Sequence, residues 1–177
     1  MNAERFEEYE NKERELLFRI EKSVRYHDHR KRFFELIHNW ITFLVALSGT
    51  ATFVTLVAEM GPRVPLFLAF AVTVFSLGDL IVKSPDKIRL YDDLKRRFIA
   101  LEKKIILLKE PDTDFQNKLN ADILNIEADE PPNLRTLTAI CHNETLQAKG
   151  YDKGYFKKIG WHKKFLRHVM DLNPDTL

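Results

Sequence analysis

The chain has 177 residues, 31% of them charged, a formal net charge of +2 at pH 7 and a mean hydropathy of −0.30. A charge so near zero gives no footing for nucleic-acid binding through a basic patch, and the single cysteine, Cys141, excludes an intrachain disulfide. The averages hide two phases: of the 28 Lys and Arg and the 26 Asp and Glu, only Glu59, Arg63 and Asp79 lie between Trp40 and Val82.

Residues 4–38 read as one long helix that feeds straight into this uncharged block. Phe6, Tyr9, Leu16, Ile20 and Val24 recur at spacings of three, four or seven, with no proline or glycine between them. A helix so continuous would carry torque or displacement into the block. The block itself comprises WITFLVALSGTATFVTLVAEM and VPLFLAFAVTVFSLGDLIV, interrupted by Gly61, Pro62 and Arg63. Each stretch is about 20 residues, enough to cross roughly 30 Å of hydrocarbon at 1.5 Å per residue. Two adjacent helices apolar all round have little use in a soluble chain of this size, so the block reads as a membrane hairpin. It begins too far from the start, and lacks the small-residue cleavage pattern, to be a signal peptide.

Basic residues orient the hairpin. Arg25, Arg30, Lys31 and Arg32 precede it, Lys83, Lys87, Arg89, Lys95, Arg96 and Arg97 follow it, and the turn offers only Arg63. Both termini are expected in the cytoplasm, which puts Cys141 in a reducing compartment. Trp40 suits an interfacial anchor. The segment Arg25 to Arg32 is explained by topology, with contact to anionic lipid or to a nucleotide as the other readings.

After the second stretch, Ser84-Pro85 supplies a cap and a proline at the first helical position of a helix to about Lys109. Leu90, Leu94, Phe98, Leu101, Ile105 and Leu108 line one face of it, and this stripe is expected to pack on the N-terminal helix. Pro111 breaks it, and Thr113 with Gln116 forms a potential capping box for a helix to about Ala128, with Leu119, Ile123 and Ile126 inward. Acidic residues from Glu127 to Glu130, then Pro131-Pro132, mark a turn into a helix that carries Leu134, Leu137, Ile140 and Cys141 and stops at Gly150. A last segment over 155–172 is basic and aromatic, with Phe156, Lys157, Lys158, Trp161, Lys163, Lys164, Phe165 and Arg167. It would either close the bundle or lie on the membrane surface. No strand alternation occurs. The expected fold is all-α, a two-transmembrane helical hairpin over 40–82 with a cytosolic helical bundle formed by both flanks, 1–39 and 83–177, as a single domain.

Polar residues inside the apolar stretches are the first candidates for function. Ser48, Thr52, Thr55 and Glu59 follow spacings of four, three and four and would share one helical face; Ser76, Asp79 and Lys83 repeat the pattern in the second stretch. They either line a pore in an oligomer or, for the hydroxyls, bond to backbone carbonyls and neighbouring helices, with Glu59 and Asp79 at the interface. Two helices alone cannot enclose water, so a pore needs several copies. Clustered small residues around Ser48-Gly49 and from Ala69 to Gly78 permit close packing, within the hairpin or between copies.

Elsewhere the signs of chemistry are weak. Cys141 and His142 are adjacent on a helix and point about 100° apart, which does not suit a nucleophile and its base. No second cysteine or spaced histidine pair completes a zinc site, and His27, His29 and His38 are expected to be structural. Phosphate-cradling glycine loops are absent. No catalytic residue, cofactor or metal is therefore expected, and the chain does not read as an enzyme.

Tyr26-His27 with Arg30, Ser48-Gly49, and Tyr91 with Leu94, Phe98 and Leu101 form a pattern that continues through Ile126-Glu127, Glu130-Pro131-Pro132, Leu134, Leu137 and Cys141-His142-Asn143-Glu144. Over nearly its whole length the chain resembles the SLATT family, bacterial two-transmembrane effectors associated with SMODS nucleotidyltransferases and SLOG sensor domains. The resemblance implies an inner-membrane effector of anti-phage conflict systems, thought to permeabilise the membrane when infection is sensed. It further implies a trigger from outside the chain, such as a nucleotide messenger made by a neighbouring enzyme, since no fused sensor or enzymatic domain is evident. The expected partners are the lipid bilayer and further copies of the chain. The rival expectation is a non-conducting anchor or scaffold that recruits a soluble partner through its cytosolic helices.

Overall fold

Most of this chain is free of proline and glycine, which leaves few places for a helix to stop. The computed structural model, which describes residues 3–59, 61, 63–107 and 113–168, is 84% helix and has no strand among them. The helices are α1 (Ala3–Ser48), α2 (Ala51–Ala58), α3 (Arg63–Val82), α4 (Ser84–Ile106), α5 (Thr113–Ala128), α6 (Arg135–Ala148) and α7 (Trp161–Leu166), with a 3-10 turn at Lys153–Tyr155. They form two units: residues 1–30 with 91–177, and residues 31–90.

In the first unit the amphipathic stripes meet as their spacing requires. Leu94, Phe98, Leu101 and Ile105 of α4, Leu119, Ile123 and Ile126 of α5, and Leu137, Ala139, Ile140 and Cys141 of α6 are all buried. From α1 come Tyr9, Ile20, Tyr26 and His27. Among the buried polar side chains of this unit is His27, with 1% of its side chain exposed. Its ring stacks on Phe98 (5.5 Å between centroids) and Tyr91 (5.9 Å), and its Nε2 lies 3.0 Å from Glu130, itself 7% exposed. With its proton on Nε2, His27 donates a hydrogen bond to the Glu130 carboxylate, while its Nδ1 is buried with no hydrogen-bond partner among the described residues.

Further polar ties hold α1 along its length. The Arg19 guanidinium forks onto Glu127, with Nε 2.9 Å from the carboxylate, and Lys95 meets Asp28 at 2.6 Å. Lys149 meets Glu21 at 3.0 Å, and the buried Gln116 amide donates to the Tyr9 carbonyl at 3.1 Å. The Tyr26 hydroxyl accepts from the Leu134 backbone N–H at 3.1 Å, satisfying a donor at the start of α6. Leu108 and the side chain of Thr113, expected in a stripe and in a capping box, lie outside the described residues and side chains.

The basic and aromatic segment after α6 is helical only in short pieces. After the 3-10 turn the chain runs non-helical to Gly160, which caps α7 with extended backbone (φ −61°, ψ 148°). Gly160 thus stands at a helix start, where its missing side chain matters: an added Cβ would meet the His162 ring at 2.9 Å.

In the second unit the first apolar stretch is not one continuous helix, contrary to expectation. α1 ends at Ser48, and Thr50 caps α2 with extended backbone, its hydroxyl accepting from the Phe53 N–H. Several groups at the break are hydrogen-bonded. Ser48 Oγ donates to the Val45 carbonyl (2.8 Å), Thr50 Oγ1 to that of Leu47 (2.9 Å), and the Gly49 N–H to those of Val45 and Ala46 (3.3 Å each). Hydroxyls that bond back to carbonyls one turn earlier compete with helical continuation, and Gly49 adds no propensity against it. α2 packs against α3. One helical stretch, Arg63–Ile106, is long and apolar enough to cross a membrane, and none of its apolar window is buried inside the protein. Within it Lys83 sits in the left-handed region (φ 54°), between α3 and α4 and two residues before Pro85.

Two outcomes follow from this packing. Glu130→Ala leaves His27 buried without its partner and is expected to cost about 2–4 kcal/mol, read by denaturation of the detergent-solubilised chain. A loss no larger than that of the exposed Glu15→Ala would contradict the role given to the pair. Lys83→Val puts a branched side chain at positive φ and is expected to cost about 1–2 kcal/mol in the same assay, with Lys83→Gly neutral or stabilising.

Candidate functional site

The Cys-His-Asn-Glu run of α6 is where the structure concentrates polar contacts between elements distant in sequence. Each of its residues is used differently, because successive positions on a helix face different neighbours. Cys141 is wholly buried in a cluster with Tyr26 and Leu137, and Leu134 packs against it. Burial pushes its thiol up to about 12, so it is held as a neutral apolar group and not as a nucleophile. His142 turns to an edge contact with Phe18 (5.1 Å), and burial, with Lys157 and Lys22 nearby, lowers its pKa. Asn143 exchanges two hydrogen bonds with the Lys157 backbone, each 2.8 Å, and so fixes the chain after the 3-10 turn against α6. Glu144 accepts from His29 Nε2, at 2.9 and 3.1 Å to its two oxygens, and that bond holds its carboxyl below the usual range.

The Glu-Pro-Pro run sets the other end. Glu130 reaches His27 through one oxygen and accepts from Asn133 Nδ2 (3.3 Å) through the other. Pro131 and Pro132 keep the chain non-helical until Leu134, the N-cap of α6, whose own N–H donates to the Tyr26 hydroxyl. The residues of both motifs thus act largely as cross-ties between α1 and the helices packed on it.

Of the basic residues expected near the membrane, Arg30 is engaged within the first unit. Its Nε donates to the Tyr91 hydroxyl (3.3 Å), its Nη1 to the His168 carbonyl (2.7 Å), and its guanidinium lies 5.3 Å above the Tyr91 ring. Arg25 is half-buried, while Lys31 pairs with Glu35 at 3.6 Å and Arg32 is exposed. A depression of about 530 Å³ beside α1 is walled by Glu21, Asp28 and Glu102 against Arg25, Lys95 and Lys149. Its charges balance, so it makes no concentrated cradle for an anion.

Within the second unit the candidate pore-lining residues fall into two groups. The break at Gly49 and Thr50 separates Ser48 from Thr55 and Glu59, so the four-residue stripe does not share one continuous helical face; the Thr52 side chain lies outside those described. Thr55 and Glu59 are exposed and Ser76 is half-buried. Asp79 instead meets His38 of α1, with Nδ1 2.9 Å from Oδ2, and only 13% of its side chain is exposed. This pair was not foreseen, since 41 residues separate its members.

Sequence reasoning also missed that His29, Cys141 and Glu144 come together, their donor atoms all within 4.8 Å of one another. Cys141 and Glu144 at i and i+3 were a visible signal; the third member lies 112 residues upstream of Cys141, on a helix whose rotation only packing decides. No family model matches the chain, and no curated protein or solved structure matches it.

His168 gives this region a pH dependence. Burial, reinforced by Arg167, Arg30 and His29, lowers its pKa to about 4. Unfolded, it would take up a proton near pH 6.5. Between those values the unfolded state binds more protons, so stability is full above about pH 6.5 and falls as the pH drops toward 4. The His168→Asn variant is expected to flatten the decline of Tm across this window; an unchanged slope would remove His168 as its cause.

Proposed function

We propose that this chain is an inner-membrane effector of the SLATT type, which spans the bilayer as a two-helix hairpin, assembles into homo-oligomers and permeabilises the membrane when triggered. The observation that carries the reading is the outer surface of the second unit. Leu66, Phe67, Leu80 and Ile81 are 74, 70, 72 and 80% exposed, and Trp40, Phe43, Leu56, Phe70 and Phe75 are exposed with them. A patch this large has no stable place in water and suits lipid. In this reading α3 is one span; the last turns of α1 with α2 form the other, its broken backbone made tolerable by the hydrogen bonds at Ser48, Gly49 and Thr50. Both termini then face the cytoplasm, where basic residues on either side of the hairpin belong.

What favours an effector over an inert anchor is the polar interior of that unit. A His–carboxylate pair and a helix interrupted in mid-stretch are expensive in hydrocarbon, and both are typical of segments that line water or change conformation. The chain passes from one unit to the other inside α1 and inside α4, so a signal received by the cytosolic helices has a route to the hairpin without a flexible linker. The trigger would come from outside the chain, as a messenger or a neighbouring sensor. No step requires the protein to be an enzyme.

Overproduction in a bacterium is expected to collapse the membrane potential, and purified protein in liposomes to release ions or dye when the trigger is supplied. Changing Ser48, Thr52 and Thr55 to leucine should abolish toxicity with membrane insertion intact. If replacing residues 40–82 by an unrelated hairpin preserves activity with the potential unharmed, the chain is a scaffold and the effector reading fails.

A further inference from the structure

We propose that His29, Cys141 and Glu144 form a binding site for a zinc-class divalent cation that ties α1 to α6. The three donors, an imidazole nitrogen, a thiol sulfur and a carboxylate oxygen, lie within 4.8 Å of one another. Tetrahedral zinc, with Zn–N and Zn–O near 2.0–2.2 Å and Zn–S near 2.3 Å, sets its donors roughly 3.3–3.6 Å apart. The 2.9 and 3.1 Å between His29 Nε2 and the Glu144 oxygens is already close to that spacing. Small side-chain adjustments would therefore open room for an ion where the hydrogen bond now stands. The donor set selects the metal: thiolate with imidazole disfavours magnesium and calcium and suits zinc, with cobalt as its spectroscopic substitute.

The surroundings allow entry and charge balance. Cys141 is fully buried, whereas His29 and Glu144 keep 27 and 36% of their side chains exposed, leaving a solvent side for the ion to approach and for water to complete its coordination. On binding, the Cys141 proton passes to solvent and His29 carries its proton on Nδ1, so thiolate and carboxylate together neutralise the doubly charged ion. Burial and Glu144 oppose the Cys141 thiolate, so the ion itself must drive loss of the proton, with Arg167, Arg25 and Lys22 acting in the same direction as the ion. The site lies wholly within the first unit and does not depend on how the hairpin functions.

The test is a cobalt titration of the full-length protein in detergent after treatment with a chelator. The expected result is one equivalent of Co²⁺ bound, with a thiolate-to-cobalt charge-transfer band and the intense visible bands of four-coordinate cobalt, all lost on adding Zn²⁺. Cys141→Ser should remove the charge-transfer band, and His29→Gln and Glu144→Gln should each weaken binding by about tenfold or more. The exposed His162→Ala should change nothing. Absence of the charge-transfer band in the unaltered protein overturns the proposal whatever the variants do, as does affinity unmoved by both His29→Gln and Glu144→Gln.

Discussion

The buried pair of His27 and Glu130 is the constraint around which the first unit is arranged. A histidine with 1% of its side chain exposed must find a polar partner or lose the hydrogen bonds that water would have given it. Glu130 meets that need only if the turn at Pro131-Pro132 leaves the carboxylate pointing inward and α1 is rotated so that His27 faces α4. Once both hold, the imidazole fits between the rings of Phe98 and Tyr91 and Tyr26 falls beside the start of α6. A buried pair of this kind adds little net stability compared with an apolar replacement, but it penalises wrong registers heavily. It is therefore better understood as selecting the alignment of α1 than as gluing it down.

The same logic explains why α1 is docked by polar ties at close intervals. Its apolar positions are sparse, and among its described side chains the buried hydrophobic ones are Tyr9, Ile20, Tyr26 and Phe34. A narrow apolar stripe specifies rotation weakly. Arg19 with Glu127, Asp28 with Lys95, His29 with Glu144 and Glu21 with Lys149 supply what the stripe lacks, each from a helix of its own position. The second unit differs: few of its described side chains are buried, His38 and Asp79 meet as a pair, and phenylalanine and leucine make up much of its exposed surface beside exposed polar residues such as Thr55 and Glu59.

Helix content was legible because it rests on local periodicity. Leu94, Phe98, Leu101 and Ile105, like Leu119, Ile123 and Ile126, repeat at three and four, and all are buried. The break at Gly49 and Thr50 was not legible, since an apolar run with one glycine and scattered hydroxyls is compatible with either an unbroken or an interrupted helix. Thr50 caps α2 through the Phe53 N–H, and α2 packs against α3. The course of the C-terminal segment was likewise not encoded locally: Asn143 captures the Lys157 backbone and holds that stretch non-helical.

By itself, the sequence determined that the chain is helical, that all but three of its acidic and basic residues lie outside the stretch between Trp40 and Val82, and that only one cysteine is available. These are properties of composition and of spacings shorter than a few helical turns, which act wherever the chain goes. Tertiary structure alone decided that His27 meets Glu130 across 103 residues, that His38 meets Asp79 across 41, and that His29, Cys141 and Glu144 share one small volume. Such meetings depend on the rotation of one helix against another. That rotation is set by the summed packing of whole faces, which no local spacing encodes.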